Sequence, residues 1–208
     1  MSANRDLSLS VDGLALQARL YSGRGQAGAV VAPPHPLYGG SMTNPVVQIV
    51  VEAALDSGVS ALAFNYRGTE QSEGVASSSL VASTADYRAA LDALRAEVPG
   101  PIIAAGYSFG AGTALLSARD EPAVQGLVLI APPLGMLHAE DLAAFRGNAL
   151  IVVGDDDEYS PITALRELLA QAPGVKLEVL PGVDHFFHFG GLRALFTLVK
   201  EQLRDWLA

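Results

Sequence analysis

The five residues Gly106-Tyr107-Ser108-Phe109-Gly110 lie between an apolar run at 101–105 and a second apolar segment at 111–118. A buried strand that turns sharply into a helix, with a serine at the apex, is typical of a nucleophile elbow. The two glycines suit such a turn, because residues without a side chain let the strand and helix backbones approach closely. The pattern also arises by chance, so its meaning depends on the rest of the chain.

Short apolar segments typical of buried strands alternate with segments typical of helices along most of the chain. The predicted strands cover residues 7–11, 14–21, 29–32, 60–64, 101–107, 126–131, 149–153 and 176–180. The predicted helices cover residues 45–57, 81–97, 111–118, 162–171 and 192–206. This alternation predicts an α/β fold, a mainly parallel sheet of about eight strands with helices on both faces. No linker or repeat interrupts it, so residues 1–208 are predicted to form one domain, with the first two strands as an antiparallel edge pair.

The composition narrows the classes of protein to which the chain can belong. A chain of 208 residues, 50% hydrophobic and 17% charged, has the length of one domain with a large core. Its formal net charge of −9 argues against nucleic-acid binding, which needs a basic surface. We find neither an apolar run long enough to span a bilayer nor a signal peptide, and we therefore predict a cytoplasmic protein without membrane contact. The absence of cysteine excludes disulfides, thiolate metal sites and a cysteine nucleophile.

Chemically distinctive residues follow several of the predicted strands. In an open parallel sheet, the loops beyond the carboxyl ends of the strands lie at one edge, and functional groups collect there. Ser108 follows the fifth strand, the acidic run 155–158 follows the seventh, and His185 follows the eighth. The order serine, acid, histidine along the chain is the one that accompanies a nucleophile elbow.

These three residue types together can perform nucleophilic catalysis. A serine hydroxyl is a weak nucleophile at neutral pH, so an imidazole takes its proton while a carboxylate holds the imidazole in the right tautomer. We predict Ser108 as the nucleophile, His185 as general base and then acid, and one of the acids at 155–158 as the group that orients His185. The chain has three other histidines, but the position of His185 between the last strand and the last helix favours it.

Backbone N–H groups are needed to stabilise the oxyanion that forms on the attacked carbonyl. The N–H of Phe109, at the start of the helix after the elbow, is predicted as one donor. The second donor is expected from the loop at 33–40, where Pro36 has no N–H to offer. We predict Leu37 for this role, with Tyr38 as the alternative.

At these positions the sequence resembles the α/β-hydrolase family, and more narrowly its small capless bacterial serine hydrolases, which are similar to dienelactone hydrolases. The resemblance spans nearly the whole chain and rests on the motifs at residues 35–42, 65–68, 106–110, 154–157 and 184–187. The Gly-x-x-Asp spacing of that family implies Asp157 as the orienting acid, with Asp156 as the alternative. The sequence departs from the family pattern at Pro34, Pro45 and Glu70. Dienelactone hydrolases themselves use a cysteine nucleophile, which this chain lacks.

Many α/β hydrolases insert a helical cap after the sixth strand, but here only about fifteen residues separate the sixth and seventh predicted strands. We therefore expect a shallow, open site flanked by Tyr38 and Phe186, with residues 134–138 as a small flap. These features predict a serine hydrolase that cleaves small carboxylic esters through an acyl-enzyme, without metal or cofactor, on a small-molecule acyl substrate. A thioesterase or small-peptide hydrolase, a non-catalytic ligand-binding protein of the same fold, and a homodimer all remain open.

Overall fold

A computed structural model describes residues 4–208, and within that range eight strands form one sheet in the order β1-β2-β4-β3-β5-β6-β7-β8. The strands are β1 Asn4–Val11, β2 Leu14–Tyr21, β3 Gly28–Ala32, β4 Ser60–Phe64, β5 Ile102–Tyr107, β6 Val124–Ile130, β7 Asn148–Gly154 and β8 Val175–Leu180. The α-helices are α1 Pro45–Asp56, α2 Leu80–Arg95, α3 Phe109–Ala118, α4 Ala139–Ala144, α5 Ile162–Leu169 and α6 Gly191–Leu207.

The sheet is parallel from β4 to β8, and β1 and β2 run antiparallel at one edge. The predicted α/β architecture, including the antiparallel edge pair joined at Asp12-Gly13, is therefore confirmed. Parallel strands bring their carboxyl ends to the same edge, so the loops after β3, β5, β7 and β8 share that edge.

Two apolar layers cover the two faces of the sheet. Val30 of β3 packs in the layer formed with α2 and α3, whereas its neighbour Val31 packs in the layer formed with α1 and α6. This alternation follows from the two-residue period of a strand, and a strand covered on both faces is apolar throughout. The five residues of β3 and the five of β4 are all buried, which places the centre of the sheet inside the core.

The structure contains three short elements that were not predicted. Residues Pro36–Tyr38 form a 3₁₀ turn in the loop at 33–40. Pro36 begins the turn, and the ring of His35 accepts a hydrogen bond from the N–H of Leu37. A second 3₁₀ turn covers Leu134–Met136, and the six-residue helix α4 follows it. All three are too short to show a helical period in the sequence.

In the part of the chain that the structure describes, no helix has both the length and the apolar character needed to cross a membrane.

Candidate active site

The turn between β5 and α3 holds Ser108 in a strained conformation. Its φ of 54° and ψ of −117° lie outside the regions that residues with a side chain normally adopt. A Cβ on Gly106 would lie 2.1 Å from the carbonyl oxygen of Gly110, and a Cβ on Gly110 would lie 2.5 Å from that of Pro33. Both glycines are thus required by close backbone approach, as the elbow motif predicts.

A continuous line of contacts connects the three predicted catalytic residues. The Oγ of Ser108 lies 3.0 Å from Nε2 of His185, and Nδ1 of His185 lies 2.8 Å from Oδ2 of Asp157. The Asp157 side chain is fully buried and that of His185 is 9% exposed. Both distances are within the reach needed for proton transfer between a nucleophile and its base, with a carboxylate orienting that base.

Local hydrogen bonds aim Asp157 at His185. Its Oδ1 accepts the N–H groups of Tyr159 at 2.8 Å and Ser160 at 3.2 Å, which leaves Oδ2 for the imidazole. Asp156, the alternative acid, is exposed, and its N–H donates to the carbonyl of Val183. Among the described residues of the acidic run, Asp157 is the one whose carboxylate contacts His185.

Tyr107 is a residue of the site that sequence reasoning missed. Its hydroxyl donates to the carbonyl oxygen of His185 at 3.0 Å, so the residue before Ser108 holds the main chain of His185. Burial raises the pKa of Tyr107 well above its usual value, and the charges of Asp157 and Asp184 add to this shift. The hydroxyl therefore stays protonated and remains a donor. Its place beside Ser108 in the elbow motif is the one signal that the sequence carried.

The predicted oxyanion donors differ in their present hydrogen bonds. Within residues 4–208, the N–H of Phe109 has no acceptor and lies at the N-terminus of α3. The N–H of Leu37 donates to Nδ1 of His35 at 3.2 Å, and that of Tyr38 donates to the carbonyl oxygen of His35 at 3.1 Å. Burial lowers the pKa of His35, which keeps the ring neutral and its Nδ1 able to accept. The second donor therefore stays a prediction.

Exposed aromatic rings surround the mouth of the site. Tyr38 is 86% exposed and packs against the ring of His35. Phe186 is 58% exposed, with its ring edge-on to His185 at a centroid distance of 5.5 Å. Tyr159 packs on His185 at 4.6 Å. Both predicted flanking residues thus lie beside groups of the site, Tyr38 against His35 in the loop at 33–40 and Phe186 against His185.

The segment between β6 and β7 is short. It comprises residues 131–147, and it contains the Leu134–Met136 turn and α4. Met136 packs over Gly112 of α3, where a Cβ would lie 2.5 Å from the methionine methyl group. The segment therefore lies against α3, and it contains no cap domain.

Arg67 is engaged away from the site. Its guanidinium makes a bidentate contact with the buried Asp86 and a further contact with Asp12. Arg67 therefore fixes the loop after β4 to α2 and to the turn after β1. Among the described residues, no group of three or more His, Asp or Glu side chains is arranged to hold a metal ion.

Comparison with known proteins identifies the family. A sequence profile described as "Serine aminopeptidase, S33" matches residues 39–145, which include the elbow at 106–110 and most of the segment between β6 and β7. The chain belongs to this family of α/β hydrolases. The protein named uncharacterized protein RP471 of Rickettsia prowazekii (strain Madrid E) is 31% identical over 172 residues, covering 77% of this chain and 72% of that protein.

Solved structures similar to this hydrolase share its architecture over nearly the whole chain. An alpha-beta serine hydrolase homologue from Coxiella burnetii superimposes with a TM-score of 0.87 at 29% identity, covering 98% of this chain and 99% of that one. XC6422 from Xanthomonas campestris, described as a serine hydrolase without lid, superimposes with a TM-score of 0.87 at 28% identity, covering 99% and 96%. The predicted resemblance to capless serine hydrolases is confirmed by these matches.

Proposed function

We propose that this hydrolase cleaves small carboxylic esters through an acyl-enzyme, with Ser108 as nucleophile, His185 as general base and acid, and Asp157 as the residue that orients His185. The observation that carries the proposal is the line of contacts from Ser108 Oγ to His185 at 3.0 Å and from His185 to Asp157 at 2.8 Å. Acyl transfer requires a serine in contact with a base, and that base must be oriented by a carboxylate.

In the first step, Oγ of Ser108 attacks the ester carbonyl carbon while Nε2 of His185 takes the hydroxyl proton. The resulting imidazolium is stabilised by the carboxylate of Asp157 on its other nitrogen. The Tyr107 hydroxyl holds the His185 main chain during this transfer, which keeps the ring in reach of both partners.

The negative charge that develops on the carbonyl oxygen needs preorganised donors. Phe109 offers an N–H at the positive end of α3 that has no acceptor among residues 4–208. We assign the second donor to Leu37, whose N–H exchanges its 3.2 Å bond to the neutral His35 ring for the oxyanion. A charged acceptor makes a stronger hydrogen bond than a neutral ring nitrogen, so this exchange is favourable.

The tetrahedral intermediate collapses when His185 gives its proton to the leaving alkoxide, which departs as an alcohol and leaves the acyl group on Ser108. Water then attacks the acyl-enzyme with His185 as base, and the carboxylic acid leaves. All steps use protein groups and water. The open mouth lets water reach the acyl group, and Tyr38 and Phe186 supply apolar surface to a small substrate.

Hydrolysis of small peptides is the second candidate, because the matching family profile is described as a serine aminopeptidase. Thioester hydrolysis uses the same three residues, since a Ser-His-Asp site does not by itself select the leaving group. A non-catalytic ligand-binding protein is a weaker alternative, because such a protein has no need of three residues in hydrogen-bonded contact.

Labelling with a fluorophosphonate probe tests the proposal. We expect the wild type to label at Ser108, and Ser108→Ala neither to label nor to hydrolyse p-nitrophenyl esters, with a rate loss on the order of 10⁴-fold or more. In a panel of p-nitrophenyl, aminoacyl and thioester substrates, short-chain esters should give the highest kcat/KM because the site is open. An unlabelled wild type, or equal labelling of Ser108→Ala, would disprove the catalytic role.

A further inference from the structure

Exposed aromatic side chains are concentrated at one edge of the molecule. Among residues 4–208, the large aromatic side chains that are mostly in solvent are Tyr38, Tyr159, Phe186 and Phe189. All four lie in the loops after β3, β7 and β8, which carry the proposed active site. The large exposed apolar residues elsewhere, Val75, Val81 and Leu207, are aliphatic. Exposed apolar surface gathered around a reactive group indicates a ligand-binding surface.

Two of these rings flank the base itself. The Tyr159 ring lies 4.6 Å from the His185 ring, and the Phe186 ring meets it edge-on at 5.5 Å. His185 must pass its proton to the leaving oxygen, so the leaving group lies within hydrogen-bond reach of Nε2. The first atoms of the leaving group are thus beside His185, and the exposed parts of Tyr159 and Phe186 border the space into which the rest extends.

The charge around this space disfavours an anionic leaving group. The loops at residues 33–44, 155–161 and 181–190 contain no lysine or arginine. Asp155, Asp156 and Glu158 are exposed in the same loop as Tyr159. An anionic leaving group, such as one with phosphate groups, would meet like charges there without a cationic partner. Arg67, the cation in the motif at residues 65–68, is held by Asp86 and Asp12.

We infer that the leaving group preferred by this hydrolase is an aryl or arylmethyl alcohol without anionic groups, whose ring packs against Tyr159 and Phe186. The inference rests on the proposed ester hydrolysis. The overall reaction converts an aryl or arylmethyl ester and one water into a carboxylic acid and the aromatic alcohol. The ester C–O bond breaks, and the alcohol leaves with the proton that His185 first took from Ser108. Aromatic pairs gain from offset or edge-on geometry beyond simple apolar burial, so a flat ring is favoured over a saturated one.

Benzyl acetate and cyclohexylmethyl acetate provide a matched test, because their leaving groups have similar size and apolar character and differ in aromaticity. We expect the wild type to show a kcat/KM about 3- to 10-fold higher for benzyl acetate, measured by pH-stat titration of the released acid. Phe186→Leu and Tyr159→Leu should each reduce this ratio, and the double variant should bring it to about one. Tyr38→Leu is the control for the ratio, because Tyr38 packs against His35 and not beside His185. Its loss of apolar surface should lower kcat/KM for both esters alike and leave their ratio unchanged.

Three outcomes would overturn the inference: a wild-type ratio near one, an unchanged ratio in the double variant, or a ratio that collapses only in Tyr38→Leu. Sedimentation of the wild type and the double variant, run in parallel, detects self-association through the aromatic surface. If the double variant sediments differently from the wild type but keeps the wild-type ratio of the two esters, the aromatic surface serves self-association and the inference is wrong. Hydrolysis of benzyl acetate by Ser108→Ala at the wild-type rate would instead overturn the proposed function, whereas an inactive Ser108→Ala with a wild-type ratio near one overturns this inference alone.

Discussion

Backbone contacts fix the turn that carries Ser108, whereas side chains fix the loop that carries His185. In the turn, Gly106 and Gly110 let strand and helix meet at distances that no Cβ would allow, and the N–H of Ser108 donates to the carbonyl of Ile130 at the end of β6. In the loop, His185 depends on the Tyr107 hydroxyl and on Asp157, both of which come from other elements.

The histidine loop also contains backbone strain. Phe187 and Phe189 have φ values of 59° and 52°, a left-handed conformation that is unfavourable for bulky residues. Asp184 offsets this strain by accepting hydrogen bonds from the backbone N–H and the ring of His188. Phe187 is buried against Tyr107 with a ring centroid distance of 6.2 Å. Ser108 is thus placed by a local motif, and His185 by tertiary contacts.

The largest expected effect on activity comes from the loop that carries His185, whose position depends on side chains. Asp157→Asn should lower kcat by about 10⁴-fold, because an amide at this position favours the wrong tautomer of His185. Asp156→Asn is the matched control, one residue away and exposed, and it should change kcat by no more than about threefold. Steady-state kinetics on a p-nitrophenyl ester measures both. A larger loss at position 156 would contradict the orientation of the acid described above.

A substitution in the turn that carries Ser108, which depends on backbone contacts, should lower the stability of the protein. A methyl group on Gly110 would lie 2.5 Å from the carbonyl oxygen of Pro33 and 2.7 Å from that of Ala32, and neither backbone can move freely. We expect Gly110→Ala to lower the free energy of unfolding by about 3 kcal/mol or more, measured by urea denaturation.

Gly135 provides the control for that substitution, because a Cβ there would meet no atom within 4 Å. Gly135→Ala should change the free energy of unfolding by no more than about 0.5 kcal/mol. Equal stability of the two variants would show that close packing does not hold the elbow.

The smallest expected effect concerns the Tyr107 hydroxyl, which links the turn that carries Ser108 to the loop that carries His185. Tyr107→Phe removes only the hydroxyl that holds the His185 carbonyl, so kcat should fall about 10-fold with KM changed less than about twofold, since a slightly displaced base still leaves substrate binding intact. Rates are normalised by active-site titration, which corrects for any unfolded fraction.

Tyr87→Phe is the matched control for the loss of a buried hydroxyl. The Tyr87 hydroxyl donates to the carbonyl oxygens of Val30 and Ala105, away from His185. Both variants should lose about 1–2 kcal/mol of stability, but Tyr87→Phe should keep its kcat. If the two variants lose stability alike and both keep full kcat, Tyr107 stabilises the fold without positioning the base.

The buried strands were predictable because their own residues are largely apolar and turn-forming residues border them. The predicted bounds of β2 and β4 match the structure, since Gly or Pro residues, polar loops and the Asp12-Gly13 turn border them. The predicted start of α1 at residue 45 also matches the structure, where Pro45 begins the helix and the Asn44 side chain accepts the N–H of Val46. In these places the local signal and the tertiary environment favour the same conformation.

The rest depends on contacts between distant parts of the chain. The choice among Asp155, Asp156 and Asp157 depends on which carboxylate faces the His185 ring, 28 residues from Asp157. The Gly-x-x-Asp spacing of the family indicated Asp157, whereas composition could not. The roles of Tyr107 and His35 were missed because each is set by one hydrogen bond in the folded state. Helix α4 has six residues, too few for its period to be read from the sequence.

The short segment at residues 131–147 also has a kinetic consequence. In the proposed mechanism, no slow lid opening would separate the acyl-enzyme on Ser108 from bulk solvent. The fate of the acyl group on Ser108 is then a competition between nucleophiles in proportion to their concentration and reactivity. Added methanol would divert part of the acyl flux into methyl ester, and the partition ratio of the two products would report directly on the solvent composition at the site.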